Sequence, residues 1–157
     1  MADVVSKETR SRMMAGIRGT NTAPELALRK EMHARGFRFR LHVGGLPGRP
    51  DLVLPKYRAV VLVHGCFWHR HAACHFATTP ATNAAFWTAK FESNLARDAR
   101  NLEKLHEVGW RTAVVWECEI RDGLPRAAAP LAKWLRSKRT HIEIPIKPRR
   151  RSSGRMY

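Results

Sequence analysis

The apolar positions of this chain fall into a few distinct periodicities. The densest run, Ala59 to Val63, is apolar at every position and mostly β-branched, the pattern of a strand covered on both faces. Pro50–Leu54 reads as a strand just before it, and Pro55 to Arg58 as a tight connection, so the two should form a hairpin. Phe37–Val43 alternates apolar and polar side chains, which predicts a half-buried strand, with Gly44 to Arg49 as the turn that follows. Trp110 to Cys118 reads as the last core strand.

Helical spacing accounts for most of the remainder. Ser6 to Arg18 has Ser6 as an N-cap and Gly19 just past its end, with a thin apolar face and basic residues around it. Thr22-Ala23-Pro24-Glu25 is a capping box with Pro in the first turn, followed by a stripe of Leu26, Leu28 and Met32 and by Gly36 as a terminator. The cap alone accounts for Glu25. From Asn83 to Val108 runs a long helical pattern with an expected break near its middle. There Phe91, Leu95, Asp98, Leu102 and Leu105 share one face. Asp98 therefore sits within an apolar stripe and requires a cation or an imidazole as partner. A final helix spans about Leu124 to Arg139, with Leu131, Trp134 and Leu135 facing inward. The order of helix, three-strand meander, helix, strand and helix predicts an α/β protein with a mixed central sheet flanked by helices. Residues 1–140 are read as one domain, 1–20 as a basic segment that contacts a nucleic acid, and 141–157 as a basic, flexible tail.

Charge narrows the function. The 157 residues carry a formal +16, more than solubility needs, which argues for a polyanionic partner. Lys147-Pro148-Arg149-Arg150-Arg151 is the one dense basic run, and a nonspecific phosphate contact is its expected role. No stretch has the length and apolarity of a membrane span or a signal peptide, so a cytoplasmic, nucleoid-associated protein with no membrane partner is expected. Three cysteines in a reducing compartment do not make a disulfide framework.

The chemistry collects after the apolar run. His64-Gly65-Cys66-Phe67-Trp68-His69-Arg70-His71-Ala72-Ala73-Cys74-His75 places two cysteines and four histidines in one loop. Cys66, His71 and Cys74 follow a C-x4-H-x2-C spacing, and Cys118 is the only cysteine left to complete a set of four. Three thiolates and an imidazole form a closed tetrahedral zinc site of structural type; His75 is the alternative to His71. A saturated zinc leaves catalysis to other residues. If the two predicted strands pair, Asp51 lies beside His64 at one sheet edge. A carboxylate there can hold Mg2+, which takes one or two carboxylates plus substrate phosphates, and an imidazole beside it can move protons. A carboxylate such as Asp98, bonded to one ring nitrogen, would fix the tautomer. Phe67 and Trp68 put large aromatics where a loop should be polar, which suits insertion into a weakened base stack.

Leu46-Pro47-Gly48-Arg49-Pro50-Asp51, Val63 through His69, Asn94 with Arg97-Asp98, and Gly109-Trp110 through Val115-Trp116-Glu117-Cys118 closely resemble the very-short-patch-repair (Vsr) mismatch endonucleases. The resemblance runs from about Ala2 to Cys118. It implies a restriction-endonuclease-like fold and Mg2+-dependent nicking of DNA on the 5′ side of the mispaired T in T·G mismatches left by deaminated 5-methylcytosine. It also implies roles for individual residues. Asp51 would bind Mg2+, His64 and His69 would be catalytic, Asp98 would pair with His69, and Glu25 would be a supporting carboxylate. Phe67, Trp68 and Trp87 would wedge into the stack, and Cys66, His71, Cys74 and Cys118 would hold zinc. A monomer acting on mismatched duplex, ahead of downstream repair proteins, is expected. Two departures from the family pattern stand out. Val63 replaces a threonine before His-Gly-Cys, a position from which a backbone carbonyl serves the metal equally well, and Ala72-Ala73 lengthens the zinc loop by one residue. The competing class is a zinc-stabilised DNA-binding module without nuclease activity, which accounts for the charge, the zinc set and the aromatics but not for Asp51 beside His64.

Overall fold

The computed structural model describes residues 22–72 and 74–146. In chain order these form α1 (Ala23–Ala34), β1 (Leu52–Leu54), a short 3-10 turn (Pro55–Tyr57), β2 (Ala59–His64), α2 (Ala84–Glu107), β3 (Arg111–Trp116), α3 (Glu117–Asp122), α4 (Leu124–Leu135) and β4 (His141–Ile144). The four strands make one mixed sheet in sequence order. β1 and β2 pair antiparallel, and β2, β3 and β4 run parallel.

The unbroken apolar run in β2 follows from its place in this sheet. Ala59 and Val61 belong to a core built with Leu28 and Met32 of α1, Ile120 of α3 and the Ala127–Leu135 face of α4. Val60 and Leu62 point the other way, into a second core with Val53, Val114, Trp116, Leu105 of α2 and Cys66. Each sheet face is thus covered, and polar positions in β2 would have no water to face. Arg111, at the start of β3, locks this packing by donating to the carbonyls of Tyr57, Trp134, Leu135, Ser137 and Arg139 while stacking on Trp134.

Several expectations are corrected. Phe37–Val43 is not a strand; only Arg40 bridges to Val53, through a reciprocal pair of backbone bonds at 2.8 and 3.0 Å. Phe37 is buried in the core, and His42 at φ +54° turns the chain out of the extended conformation. The meander is therefore a two-strand hairpin. The long helix α2 is continuous, and its buried stripe is rotated from the predicted one. Asn94 is buried with Phe91 and Leu105, whereas Leu95 is 47% exposed. On α1, Leu26 is likewise 49% exposed while Leu28 and Met32 are buried. The strand ending at Trp116 gives way directly to α3, so Cys118 lies in a helical first turn rather than at a strand end. The last helix stops at Leu135.

The largest correction lies at the C-terminal end. Residues 141–144, read as the start of a flexible tail, instead form the fourth strand, His141–Ile144, with Ile142 and Ile144 buried. Four residues bounded by basic segments and a proline are too short for alternation to register in the sequence. The predicted helix Ser6 to Arg18, the basic segment 1–20 and the basic run from Lys147 onward lie outside the described residues. Among the described residues no helix is long and apolar enough to cross a membrane.

Candidate active site

The hairpin brings Asp51 to the end of β2. Its backbone N–H donates to the Val61 carbonyl at 2.9 Å, and its Oδ2 accepts from the Val63 N–H at 2.6 Å. Val61 and Val63 lie two apart on one strand, so they turn the same backbone edge toward β1. The Val63 carbonyl therefore faces the side on which Asp51 sits. The turn before it is seated on α2 at Gly48, which has φ +75° and whose missing Cβ would meet Asn101 at 3.1 Å. A side chain there would press on Asn101 and strain the backbone at this φ, so glycine suits the turn that carries Asp51.

Glu25 reaches the same place from α1. Thr22 caps the helix through the Glu25 N–H at 3.5 Å, but the cap does not account for the Glu25 carboxylate. That group pairs with Arg29 at 3.3 Å and is hydrogen-bonded to Asp51. Burial pushes the Asp51 carboxyl up to about 7, with the charge of Glu25 adding to the rise and the Val63 N–H opposing it. Two carboxylates thus share a buried position.

Across from them, His64 at the end of β2 stacks on His69 with ring centroids 3.9 Å apart and planes 6° from parallel. His69 Nδ1 lies 2.6 Å from Asp98 Oδ2 on α2. A carboxylate only accepts, so the Nδ1–H of His69 donates, which turns its Nε2 away from Asp98. Asp98 thus meets the imidazole partner that its position demanded, at the helix surface rather than deep in the core. Burial, reinforced by His69, lowers the His64 imidazole to about 3 in spite of the Asp98 charge, so it is neutral at physiological pH.

Two adjoining hollows expose these groups. One, of about 290 Å3, is lined by Glu25, Arg49, Asp51, His64, His69 and Asp98. The other, of about 680 Å3, shares Glu25, Val63 and His69 with it and extends past Phe67 and Trp68 to Arg97 and Arg121. The combined cleft has carboxylates and imidazoles at its floor, arginines on its rim and aromatics on one wall. Phe67 and Trp68 are half-buried and packed edge to face at 4.9 Å, and both contact Trp87, at 5.6 and 6.0 Å. Phe86, which the sequence reading passed over, extends this cluster from Trp87 at 5.3 Å and is 56% exposed. Asn94 donates to the Trp68 carbonyl at 3.1 Å, and Arg70 donates to Phe67, Ala77 and Thr78 carbonyls and to Thr79 Oγ1 while lying over the Phe91 ring. Neither tether had a signal beyond residue type, because each depends on how the loop folds back on itself.

Behind the aromatic wall, Cys66, His71, Cys74 and Cys118 bring one donor atom each within 4.8 Å of one another. His71 Nδ1 lies 3.7 Å from Cys66 Sγ and 3.4 Å from Cys118 Sγ. A tetrahedral zinc with ordinary Zn–S and Zn–N bonds sets those edges at about 3.5–3.6 Å. Burial raises the Cys66 thiol and pushes Cys118 up to about 11, with the neighbouring Cys74 adding to both rises. The donor set is compatible with a structural zinc, and it is His71, not His75, that joins it.

The sequence compares well with characterised proteins. The sequence model of the family described as DNA mismatch endonuclease Vsr matches residues 2–75. The type II nicking enzyme V.XorIIP of Xanthomonas oryzae pv. oryzae is 48% identical over 122 residues, covering 78% of this chain and 89% of the relative. The DNA mismatch endonuclease Vsr of Escherichia coli K12 is 46% identical over 121 residues, 77% of each chain. The type II nicking enzyme V.NmeAIP of Neisseria meningitidis is 39% identical over 122 residues, 78% of this chain and 86% of its own.

Proposed function

The chain belongs to the DNA mismatch endonuclease Vsr family, and from that premise we propose that it nicks one strand of duplex DNA on the 5′ side of the mispaired T in a T·G mismatch, using Mg2+. The observation that carries the reading is the meeting of two clusters over one cleft. The Asp51–Glu25 carboxylate pair faces the His64–His69–Asp98 group, with arginines at the rim. The reading includes a restriction-endonuclease-like core, supported by the mixed four-strand sheet with helices on both faces.

A buried carboxylate pair that repels its own second charge is a good host for a hard cation. Asp51, Glu25 and the Val63 carbonyl would hold Mg2+, and Val63 serves as well as threonine because it contributes a backbone oxygen. When bound, the ion neutralises phosphate charge and lowers the pKa of water. The protein's own groups handle position and protons. Asp98 fixes His69 with its Nε2 free toward the cleft, where it accepts the proton of the attacking water. The water oxygen bonds to phosphorus, the ester bond to the leaving oxygen breaks, and that oxygen takes up a proton from solvent water in the cleft. Neutral His64 stacks on His69 and keeps its ring plane fixed. Arg49, Arg97 and Arg121 meet the backbone phosphates. Phe67, Trp68 and Trp87 enter the base stack where pairing is already weak, which is how a wobble pair is told from a matched one. Cys66, His71, Cys74 and Cys118 hold zinc and so stiffen the loop that bears those wedges.

The test is a nicking assay on supercoiled or labelled duplexes with one T·G pair. Nicking is expected in Mg2+ at the mismatch, with none in EDTA and none for Asp51→Ala, which should still bind the duplex. Undiminished turnover of Asp51→Ala would place the metal elsewhere. Binding without nicking by the wild-type protein would favour the non-catalytic DNA-binding class.

A further inference from the structure

We propose that Glu143, on β4, is a positioning residue that clamps Trp116, and that Trp116 in turn fixes the ring of His64 against the metal ligand His71. The proposal takes its catalytic consequence from the nicking reading above, but its geometry stands apart from it.

Trp116 ends β3 and pairs in register with His64 at the end of β2. Its indole lies flat on His71, with centroids 4.2 Å apart and planes 11° from parallel, and it meets His64 edge to face at 5.2 Å. His64 is then stacked on His69, which is held by Asp98. One continuous run of rings therefore links the Cys/His cluster to the imidazoles in the cleft. Such a run, stacked at His71 and edge to face at His64, transmits orientation, because rotating the indole between them opens contacts on both sides.

Beyond its packing in the second core, the indole is fixed in rotation by one polar bond. Trp116 Nε1–H donates to Glu143 Oε1 at 2.6 Å, the length of a charge-assisted bond. The register explains the reach. Glu143 is opposite Val114 across the β3–β4 ladder, so Trp116 is its diagonal neighbour on the same face, a separation that long side chains span. Ile142 and Ile144 point into the core on the other face and anchor the strand, so the Glu143 carboxylate is presented from a rigid base. Nothing in the fold itself requires a carboxylate at 143. Its side chain is on the solvated side of an edge strand, where any polar residue would do. The bond to Trp116 gives it a specific task.

Angular freedom at a proton-transferring ring is costly, since small misplacements lower turnover without changing substrate affinity. Glu143→Ala should lower kcat for T·G nicking about tenfold with KM within about twofold, on the scale of a misaligned general base. Glu143→Gln, whose amide oxygen still accepts from the indole, should restore most of that loss. Trp116→Phe keeps a ring between the imidazoles but has no N–H to clamp, so it should resemble Glu143→Ala. Combining it with Glu143→Ala should add nothing. Bound zinc per chain and melting temperature should stay unchanged in Glu143→Ala. In the DNA-free protein, the imidazole ring NMR signals of His64 and His71 should shift in Glu143→Ala and return in Glu143→Gln.

Wild-type kcat in Glu143→Ala overturns the clamp. So do equal losses in the Ala and Gln variants, additive losses in the double variant, or a loss carried in KM, which would make Glu143 a charge felt by DNA. If the wild-type protein fails to nick while the His64 signals still follow Ala and Gln as described, the nicking reading falls and the clamp stands. Imidazole signals unmoved by Glu143→Ala overturn it whatever the activity.

Discussion

Asp51 is where two opposing requirements meet at one side chain. Burial and the nearby Glu25 favour the protonated acid, raising it to about 7, whereas a role in holding a cation requires the carboxylate. Cation binding must therefore release a proton whenever the pH is below about 7. Mg2+ affinity should rise with pH up to that value and then level off, and calorimetry in buffers of different ionisation enthalpy should detect the released proton. Asp51→Asn should abolish both. The same shift has a stability consequence. A carboxyl whose folded pKa lies above its unfolded value of 3.8 stabilises the fold fully below that value and loses the contribution as pH rises through about 7. In buffer without added Mg2+, the melting temperature of the wild-type protein should fall between pH 4 and pH 7 relative to Asp51→Asn, and Mg2+ should reverse the fall. Asp98 makes a separate prediction. Asn in its place leaves the geometry but can donate to Nδ1, so His69 adopts the wrong tautomer for part of the time. Nicking by Asp98→Asn should drop by about 10²–10⁴, the range for a lost general base, with duplex affinity retained.

At the scale of elements, the end of the sheet is tied together by the Cys/His cluster. Cys66 follows β2, Cys118 lies in the first turn of α3, and His71 and Cys74 come from the loop between β2 and α2. A metal there would fasten the loop between β2 and α2 to the paired ends of β2 and β3, so binding should be coupled to folding. Cys118→Ser should release zinc and lower the melting temperature by several degrees, and metal analysis of the purified wild-type protein should find one zinc per chain. How much was legible in the sequence follows the same division. The apolar run of β2, the Thr22–Glu25 start of α1 and the Pro55–Arg58 hairpin connection each carry a local signal, and each forms as read. The cysteine spacing did so too, since all three cysteines converge with His71. What escaped depends on distant partners. Phe37–Val43 alternates like a strand, yet among the described residues it has only one rung, Arg40 to Val53. On α2 it is Asn94, not Leu95, that is buried, where it donates to the Trp68 carbonyl, a partner that only the folded loop supplies. Glu25 looked complete as a capping residue until the hairpin delivered Asp51 beside it. β4 is four residues long, and the parallel pairing with β3 that defines it joins segments about thirty positions apart, which no local pattern encodes.

At the scale of the whole molecule, the formal charge of +16 includes two separate groups of arginines. Arg49, Arg97 and Arg121 line the cleft, where the distance to a phosphate is set by the same elements that place Asp51 and His69. Arg149, Arg150 and Arg151 belong to the basic run near the C-terminal end, remote in sequence from every residue of the site. On the proposed reading the first group would help position the scissile bond, and the second would supply attraction to any duplex, because phosphates carry no sequence information. Replacing Arg149, Arg150 and Arg151 with alanine should therefore weaken matched and T·G duplexes by the same factor. The slope of log K against log salt should become shallower by up to about 3, close to 0.9 for each lost phosphate contact. At saturating DNA the nicking rate should be unchanged, since no group of the cleft has been touched. Filter binding or anisotropy across a salt series, on matched and mismatched duplexes of one length, makes the measurement. A changed ratio between the two duplexes would mean that these arginines take part in finding the mismatch, and recognition would then extend beyond the aromatic wall of the cleft.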